Sequence, residues 1–231
     1  MRYSKILTLI GIISTGFVLS TTSTQAAVVH DNGGPLVSFI TGVSDVDGDS
    51  RAADNFTLTG SATITNITWS GVYFPSNRPN GHDDFTIRFY TDSAGLPDNA
   101  GLIGTYTPGN AVNRVYSGVT SGLLGFDFFN YSVDITPLML SAGTYWISIV
   151  NDTTADTDDN WYWSVSSVSI TGGGDAVSQG GTTPNWTSSN VEHSFVLSND
   201  VAAVPVPAAV WLMGSALAGL LGFSRCKPEI A

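Results

Sequence analysis

The sequence predicts an all-β protein with a single β-sandwich or jelly-roll-like domain. The central part prefers Asp, Asn, Ser, Thr and Gly over Glu and Lys, a composition that disfavours helix and suits strands joined by tight turns. Short apolar runs recur between clusters of Gly, Pro, Asn and Asp, which is typical of sandwiches and barrels. Outside the C-terminal tail, no ten-residue stretch has a helical period, so an α/β fold is not expected.

The first 26 residues have the features of a secretory signal peptide. Arg2 and Lys5 precede an apolar run over residues 6–19, and a small polar stretch ends at Ala26. This order of charge, apolar core and small residues predicts cleavage after Ala26. An uncleaved anchor is the alternative, but fourteen helical residues rise only about 21 Å, which is short of a bilayer core.

The folded domain is expected to span residues 27–200. Within this range, the alternating sequence from Phe85 to Tyr90 predicts the clearest half-buried strand. Eight further segments have similar patterns and are bounded by turn residues. They are Asn55 to Leu58, Thr63 to Phe74, Leu102 to Tyr106, Ala111 to Val119, Phe126 to Ile135, Thr144 to Val150, Trp161 to Ile170 and His193 to Leu197.

The C-terminal segment has the features of a short membrane anchor. Pro205 and Pro207 end a linker, because proline is excluded from a helix interior, and an uncharged stretch over about 208–223 follows. This length is at the low end of a membrane span. Arg225 and Lys227 follow the stretch and should remain cytoplasmic by the positive-inside rule.

Residues 204–227 together resemble the PEP-CTERM sorting domain, whose pattern is a Pro-acidic-Pro motif, a short transmembrane helix and an arginine-rich end. The same tail is also labelled the ice-binding protein C-terminal domain, which implies no affinity for ice. The chain departs from the pattern at Val206, where an acidic residue is usual, and at Cys226, which interrupts the basic cluster. The sorting-motif residues are Val204, Pro205, Val206, Pro207, Arg225 and Lys227.

The resemblance implies an exported protein that is anchored in the inner membrane and then processed by an exosortase, a membrane cysteine protease-transpeptidase. Bacteria with this system are Gram-negative and make extracellular polysaccharide, so the expected destination is the cell surface or the extracellular matrix. A plain C-terminal anchor is the alternative. The segments Asp54-Asn55-Phe56, Trp69-Ser70-Gly71-Val72-Tyr73 and Leu140-Ser141-Ala142-Gly143-Thr144-Tyr145-Trp146 also resemble β-sandwich ectodomains that accompany such tails.

The charge of the central part limits its partners. Four arginines stand against seventeen aspartates and Glu192, which gives a net charge of about −14. This charge repels phosphate backbones and anionic membrane surfaces, so nucleic acid is not an expected partner. The single cysteine, Cys226, excludes an intrachain disulfide.

Asp45, Asp47 and Asp49 place carboxylates at every second residue, and carboxylates in such loops can bind calcium. The segment is not an EF-hand, because glycine is its fourth residue and Phe56 occupies the twelfth position. A second acidic segment contains Asp152, Asp156, Asp158 and Asp159. Calcium is therefore one hypothesis for either segment, and a solvated acidic loop is the other.

Trp161 and Trp163 are the candidate sugar contacts, because strand alternation places both on one face beside an acidic loop. The alternative is that this face belongs to the core, since large aromatic side chains are highly buried on average.

No catalytic group is expected. The three histidines form no metal pair, and the adjacent Asp83 and Asp84 point to opposite faces of an extended chain. The sequence thus favours a non-enzymatic, exosortase-sorted matrix protein associated with exopolysaccharide. The alternatives are a carbohydrate-binding or calcium-dependent adhesive module and a secreted hydrolase.

Overall fold

The computed structural model describes residues 27–38, 42–75, 83–121, 125–155, 159–168, 174–179 and 184–199. All of them belong to one compact unit, Gln25–Val201. The predicted signal peptide at 1–26 and the predicted tail at 204–227 lie outside the described residues. Within the described ranges, no helix has the length and apolar character needed to cross a bilayer.

The described residues form twelve strands and no helix, which confirms the predicted all-β class. The strands are β1 (Ala27–Asp31), β2 (Ser50–Leu58), β3 (Ala62–Phe74), β4 (Phe85–Ser93), β5 (Leu96–Gly109), β6 (Asn113–Thr120), β7 (Asp127–Leu140), β8 (Gly143–Val150), β9 (Asn160–Trp163), β10 (Asp175–Gln179), β11 (Thr187–Ser188) and β12 (Phe195–Asn199).

The strands form two antiparallel sheets. The first sheet has the order β1-β12-β3-β7-β6, and β9 also pairs with β3; the second has the order β11-β10-β2-β8-β4-β5. Successive strands therefore change sheets repeatedly, and the central strands β1-β12-β3-β7 and β2-β8-β4-β5 have the order of a jelly roll. The predicted jelly-roll-like sandwich is the observed architecture.

The core lies between the inner faces of the two sheets. Trp69 and Tyr131 of the first sheet stack with ring centroids 5.4 Å apart, and both contact Phe85 of the second sheet edge-on. Phe56 and Phe195 make another contact across the sandwich, at 6.4 Å. Aromatic side chains bury large apolar areas, so these contacts account for much of the packing between the sheets.

Most predicted strands are observed, but their ends differ. The run predicted from Trp161 to Ile170 ends as a strand at Trp163, after which Val165 and Ser166 make single bridges to His193 and Pro35. The strands β1, β10 and β11 were not predicted. β10 reads Asp-Ala-Val-Ser-Gln and pairs along β2, so tertiary pairing, and not an apolar pattern, makes it a strand.

Candidate functional site

A groove of about 550 Å³ crosses the outer face of the first sheet. Trp69 points into the core, so its neighbours Thr68 and Ser70 point outward. Residues of β7 and β12 continue this floor, and β6 forms one wall. The polar lining residues of these strands are Thr68, Ser70, Asn113, Asn130, Ser132 and Ser194.

Hydrogen bonds between the lining residues fix their positions. Ser70 Oγ donates to Asn130 Oδ1 at 2.9 Å, and Asn113 Nδ2 donates to Ser132 Oγ at 3.3 Å. Each carboxamide has two N–H donors and an oxygen acceptor, so one bond leaves further hydrogen-bonding capacity at Asn113 and Asn130. Both residues are exposed. The groove thus presents the preordered amides of Asn113 and Asn130 to solvent, while the buried Ser70 and Ser194 lie at its floor.

The opposite wall is the turn that follows β1. Gly33 has a φ of +81°, and its N–H bonds Asp31 Oδ1 at 2.8 Å. A Cβ at Gly33 would collide with the side chains of Val168 and Ser166, so glycine is required for this close approach. Ser194 Oγ donates to the Gly33 carbonyl at 2.8 Å, which ties the turn to the groove floor.

Beneath this turn, buried polar residues hold the wall in place. Asn32 is buried, and its Nδ2 donates to Asp54 Oδ2 at 3.0 Å and to the His193 carbonyl at 2.8 Å. Burial raises the pKa of Asp54 well above its ordinary value, and the nearby carboxylates of Glu192 and Asp175 raise it further. His193 Nε2 lies 3.3 Å from Asp175 Oδ2.

A second buried polar group lies at the start of β4. Asp83 accepts hydrogen bonds from Tyr73, from Arg114 and, at 3.0 Å, from Asn151 Nδ2. Burial and the neighbouring Tyr131 and Asp83 raise the pKa of Tyr73 far above its usual range. A phenol with a raised pKa is a poor nucleophile. Burial lowers the pKa of Arg114, but Asp83 together with Tyr73 and Tyr131 outweighs this effect, and the net shift is upward.

Trp161 and Trp163 lie in the core, which corrects their predicted role as sugar contacts. Both are fully buried. The ring of Trp163 stacks on His193 at 4.6 Å, and Trp161 packs edge-on to Phe85 at 5.1 Å. Trp161 and Trp163 do share one face of the strand, as the alternation predicted, but it is the inner face of the sheet. Tyr162 on the other face is partly exposed.

Asp45, Asp47 and Asp49 do not point to one position in the structure, and calcium binding by this segment stays a prediction. Asp45 is buried, and its carboxylate accepts from the backbone N–H groups of Asp47 and Trp161 and from Thr153 Oγ1. Asp47 and Asp49 are exposed in the turn between the paired Asp45 and Ser50. No three His, Cys, Asp or Glu side chains converge on a metal position within the described ranges. Asp156 and Asp158 of the second acidic segment lie outside those ranges.

Some of the other residues discussed from the sequence lie within the described ranges, and some lie outside them. Asp83 is buried and Asp84 is exposed, so the two carboxylates lie in different environments, as predicted. The sorting-motif residues of the tail and His82 lie outside the described residues. The groove residues were not singled out from the sequence. Strand alternation predicts that Thr68 and Ser70 share a face, but it does not predict which strands pair beside them.

These features define the chain as a jelly-roll β-sandwich with a polar groove on one outer face. No protein-family model and no curated protein matches the chain. Among solved structures, it is similar to the crystal structure of the cysteine protease and lectin-like domains of Cwp84, a surface layer associated protein of Clostridium difficile. The identity is 10% and the TM-score 0.42, over 65% of this chain and 32% of that chain. The chain therefore spans about a third of that structure, and likeness at this level establishes no shared family or activity.

Proposed function

We propose that the protein is an exported surface or matrix protein whose β-sandwich binds extracellular polysaccharide in the outer groove without catalysing a reaction. The observation that carries the proposal is the preordered row of amides and hydroxyls along the groove. Sugars present hydroxyl groups that donate and accept hydrogen bonds, and Asn, Ser and Thr side chains complement both.

The shape of the site supports the same function. The groove is open on the sheet surface, and its volume of about 550 Å³ falls in the range of small-molecule sites. Its hydrogen bonds exist before a ligand arrives, so little ordering of side chains is needed on binding. Pre-organisation of this kind favours a binding role.

Affinity gel electrophoresis of the full-length protein tests the proposal. Gels that contain a neutral polysaccharide such as dextran or galactomannan should retard the wild type. Asn130→Ala should restore most of the mobility, because it removes an exposed groove amide and the acceptor of Ser70 Oγ. The matched control is Asn190→Ala, which removes an exposed amide outside the groove. Equal retardation of both variants, or no retardation of wild type by any glycan, would contradict the groove as the site.

The two ends of the chain support the second part of the proposal, which concerns the localisation of the protein. Residues 204–227 resemble the PEP-CTERM pattern, and the first 26 residues resemble a secretory signal. In this proposal the tail anchors the chain in the inner membrane, exosortase removes it, and the sandwich remains at the cell surface or in the matrix. Extracellular polysaccharide and exosortase are then its partners.

Expression in a host with an exosortase, and in the same host without it, tests the proposed processing and localisation. A mature mass that lacks the tail only when the enzyme is present is the expected result. Substitution of Arg225 and Lys227 by glutamine should then abolish processing, since both belong to the sorting motif. An intact tail in both hosts would indicate a plain membrane anchor and would exclude sorting by exosortase.

A further inference from the structure

A row of paired residues crosses the outer face of the first sheet at the groove. Each member lies opposite the next in the register of neighbouring strands, and all of them line the groove. In order from β1 to β6, the members are Asp31, Val196, Thr68, Ser132 and Asn113. Paired residues in an antiparallel sheet lie along a line perpendicular to the strands. The row therefore crosses all five of these strands.

This row is open to solvent along its whole length. Asp31 and Asn113 at its ends are exposed, and the three members between them are partly exposed. Neighbouring strands lie about 4.8 Å apart, so four spacings make the row about 19 Å long. Along β3 itself, Ser70 and Val72 are buried. The open path through the groove therefore runs across the strands and not along them.

The two ends of the row carry groups that can bind sugar hydroxyls. Asp31 accepts the Gly33 N–H through Oδ1 at 2.8 Å, and a carboxylate can accept several further hydrogen bonds. Bonds to a charged acceptor are about twice as strong as those between neutral groups. At the other end, the exposed Asn113 amide can donate as well as accept. Val196 in between offers an apolar contact for the C–H surface of a sugar.

The charge of the lining limits the class of ligand. Among the described residues that line the groove, Asp31 is the single charged side chain, and none is Lys, Arg or His. A carboxylate in such surroundings repels uronate, sulfate and phosphate groups on a ligand. The row is thus suited to an uncharged chain that is rich in hydroxyl groups.

We propose that the groove binds one extended, uncharged polysaccharide chain across the five strands, with the Asp31 carboxylate holding sugar hydroxyls at one end and the Asn113 amide at the other. This inference rests on the proposed function and names its ligand class and the direction of the bound chain. A ligand in this direction contacts every member of the row, whereas a short sugar reaches only one end.

Affinity gels with the full-length protein test the two ends. Asp31→Asn keeps the Oδ1 acceptor of the turn but removes the charge, and Asn113→Ala removes the amide. Each should weaken retention by neutral polysaccharide about three- to tenfold, the effect of one hydrogen-bonding group.

The matched controls are Asp134→Asn and Asn190→Ala, and both should run like the wild type. Asp134 is an exposed carboxylate on the outer face of β7 that does not line the groove, and its replacement by Asn keeps the acceptor for Asn66 Nδ2. Asn190 is an exposed amide outside the groove. Loss of retention in the controls equal to that in the end variants would contradict the row as the binding path.

Fragments of the same polysaccharide test the span. Fragments that cover about 19 Å should release the wild type from the gel at a lower concentration than disaccharides do, because they contact both ends of the row. In Asn113→Ala this advantage of long fragments should fall at least threefold, since a short fragment can still use the intact Asp31 end. An advantage unchanged by the substitution would exclude Asn113 from the site.

The outcomes separate this inference from the groove proposal. If Asn130→Ala restores mobility but both end variants run like the wild type, the ligand does not span the row, and only this inference fails. Retention of the wild type by alginate, an anionic polymer of uronic acids, but not by neutral polysaccharide would also overturn it. If the wild type binds no glycan while circular dichroism shows folded β-structure, both proposals fail.

Discussion

Trp163 shows how one aromatic residue contributes to the fold of this protein. Its ring is fully buried against His193 and Phe195, and its Nε1 donates to the Ser194 carbonyl at 3.0 Å. Ser194 in turn lines the groove. The tryptophan therefore supports the site from below instead of contacting a ligand.

Trp163→Ala should lower the free energy of unfolding by about 3–5 kcal/mol, because it leaves a large cavity and removes a hydrogen bond to the Ser194 carbonyl. Denaturant unfolding followed by far-ultraviolet circular dichroism measures this change. The comparison is Tyr162→Ala, which truncates the partly exposed neighbour and should cost much less. Equal losses in the two variants would contradict the core position of Trp163.

The ion pair of Asp83 and Arg114 is expected to contribute to stability, because it neutralises a carboxylate that folding removes from water. The Asp83 side chain is 1% exposed and that of Arg114 24%. Arg114→Met should cost about 3 kcal/mol of stability, because a buried carboxylate loses its cation. In Arg114→Met/Asp83→Asn the remaining charge is also removed, so part of the loss should be recovered. A double variant as unstable as the sum of its single variants would show that the pair is not coupled.

Asp54 is expected to make stability depend on pH. Its pKa is raised in the folded protein by burial, so the native state holds this proton more tightly than the unfolded state. The contribution is therefore present at acidic pH and is lost as pH rises from about 4 through the folded pKa. The pKa of Asp45 is also raised by burial. The pKa of the half-buried His30 is lowered, which has the opposite effect on the pH dependence of stability.

Asp54→Asn should flatten the fall in stability as pH rises from about 4 to 6, a range chosen to lie below the ordinary pKa of histidine. Urea unfolding at a series of pH values measures the slope. A residual slope is expected from Asp45, whose pKa is raised in the same direction. An Asp54→Asn profile parallel to wild type would refute the assignment.

At the scale of elements, β3 is the strand that organises the first sheet. It pairs with β7 along one side and with β12 and then β9 along the other. Where β9 begins to pair, Gly71 lies beneath the indole of Trp161, and a Cβ at this position would collide with that ring. Glycine therefore permits the close contact between strand and ring.

Gly71→Ala should destabilise the protein by about 1–3 kcal/mol through overpacking against Trp161. Gly60→Ala is the matched control, since a Cβ there meets nothing within 4 Å. Thermal unfolding of both variants measures the difference. If Gly60→Ala were the more destabilised of the two, the close packing of β3 against Trp161 would be wrong.

At the scale of the whole molecule, the net charge of −11 should have little influence on the binding of the neutral polysaccharides that test the groove. An uncharged polysaccharide releases no counterions and has no charge to be screened. Retention in affinity gels should therefore stay constant from low salt to about 1 M NaCl, where screening is nearly complete. A steep loss of retention with salt would contradict binding of these polysaccharides by the amides and hydroxyls of the groove.

The sequence was most informative where the signal was local. Alternation in Phe85–Tyr90 and in the Gly143–Val150 segment predicted strands that the structure confirms. The carboxylates of Asp45, Asp47 and Asp49 looked alike in sequence, but a carboxylate becomes a ligand only if it faces the same point as its neighbours. Asp45 turns inward to backbone donors instead, and local spacing does not contain that information.

The sequence by itself determined that the central part is all-β and acidic, and it predicted the targeting segments at the two ends. These properties follow from composition and short-range periodicity. Only the tertiary structure decided that Trp161 and Trp163 face the core and that Asp31, Ser70, Asn113, Asn130 and Ser194 meet in one groove. The physical reason is that strand pairing in a jelly roll joins residues far apart in the chain, and its register depends on the packing of both sheets together.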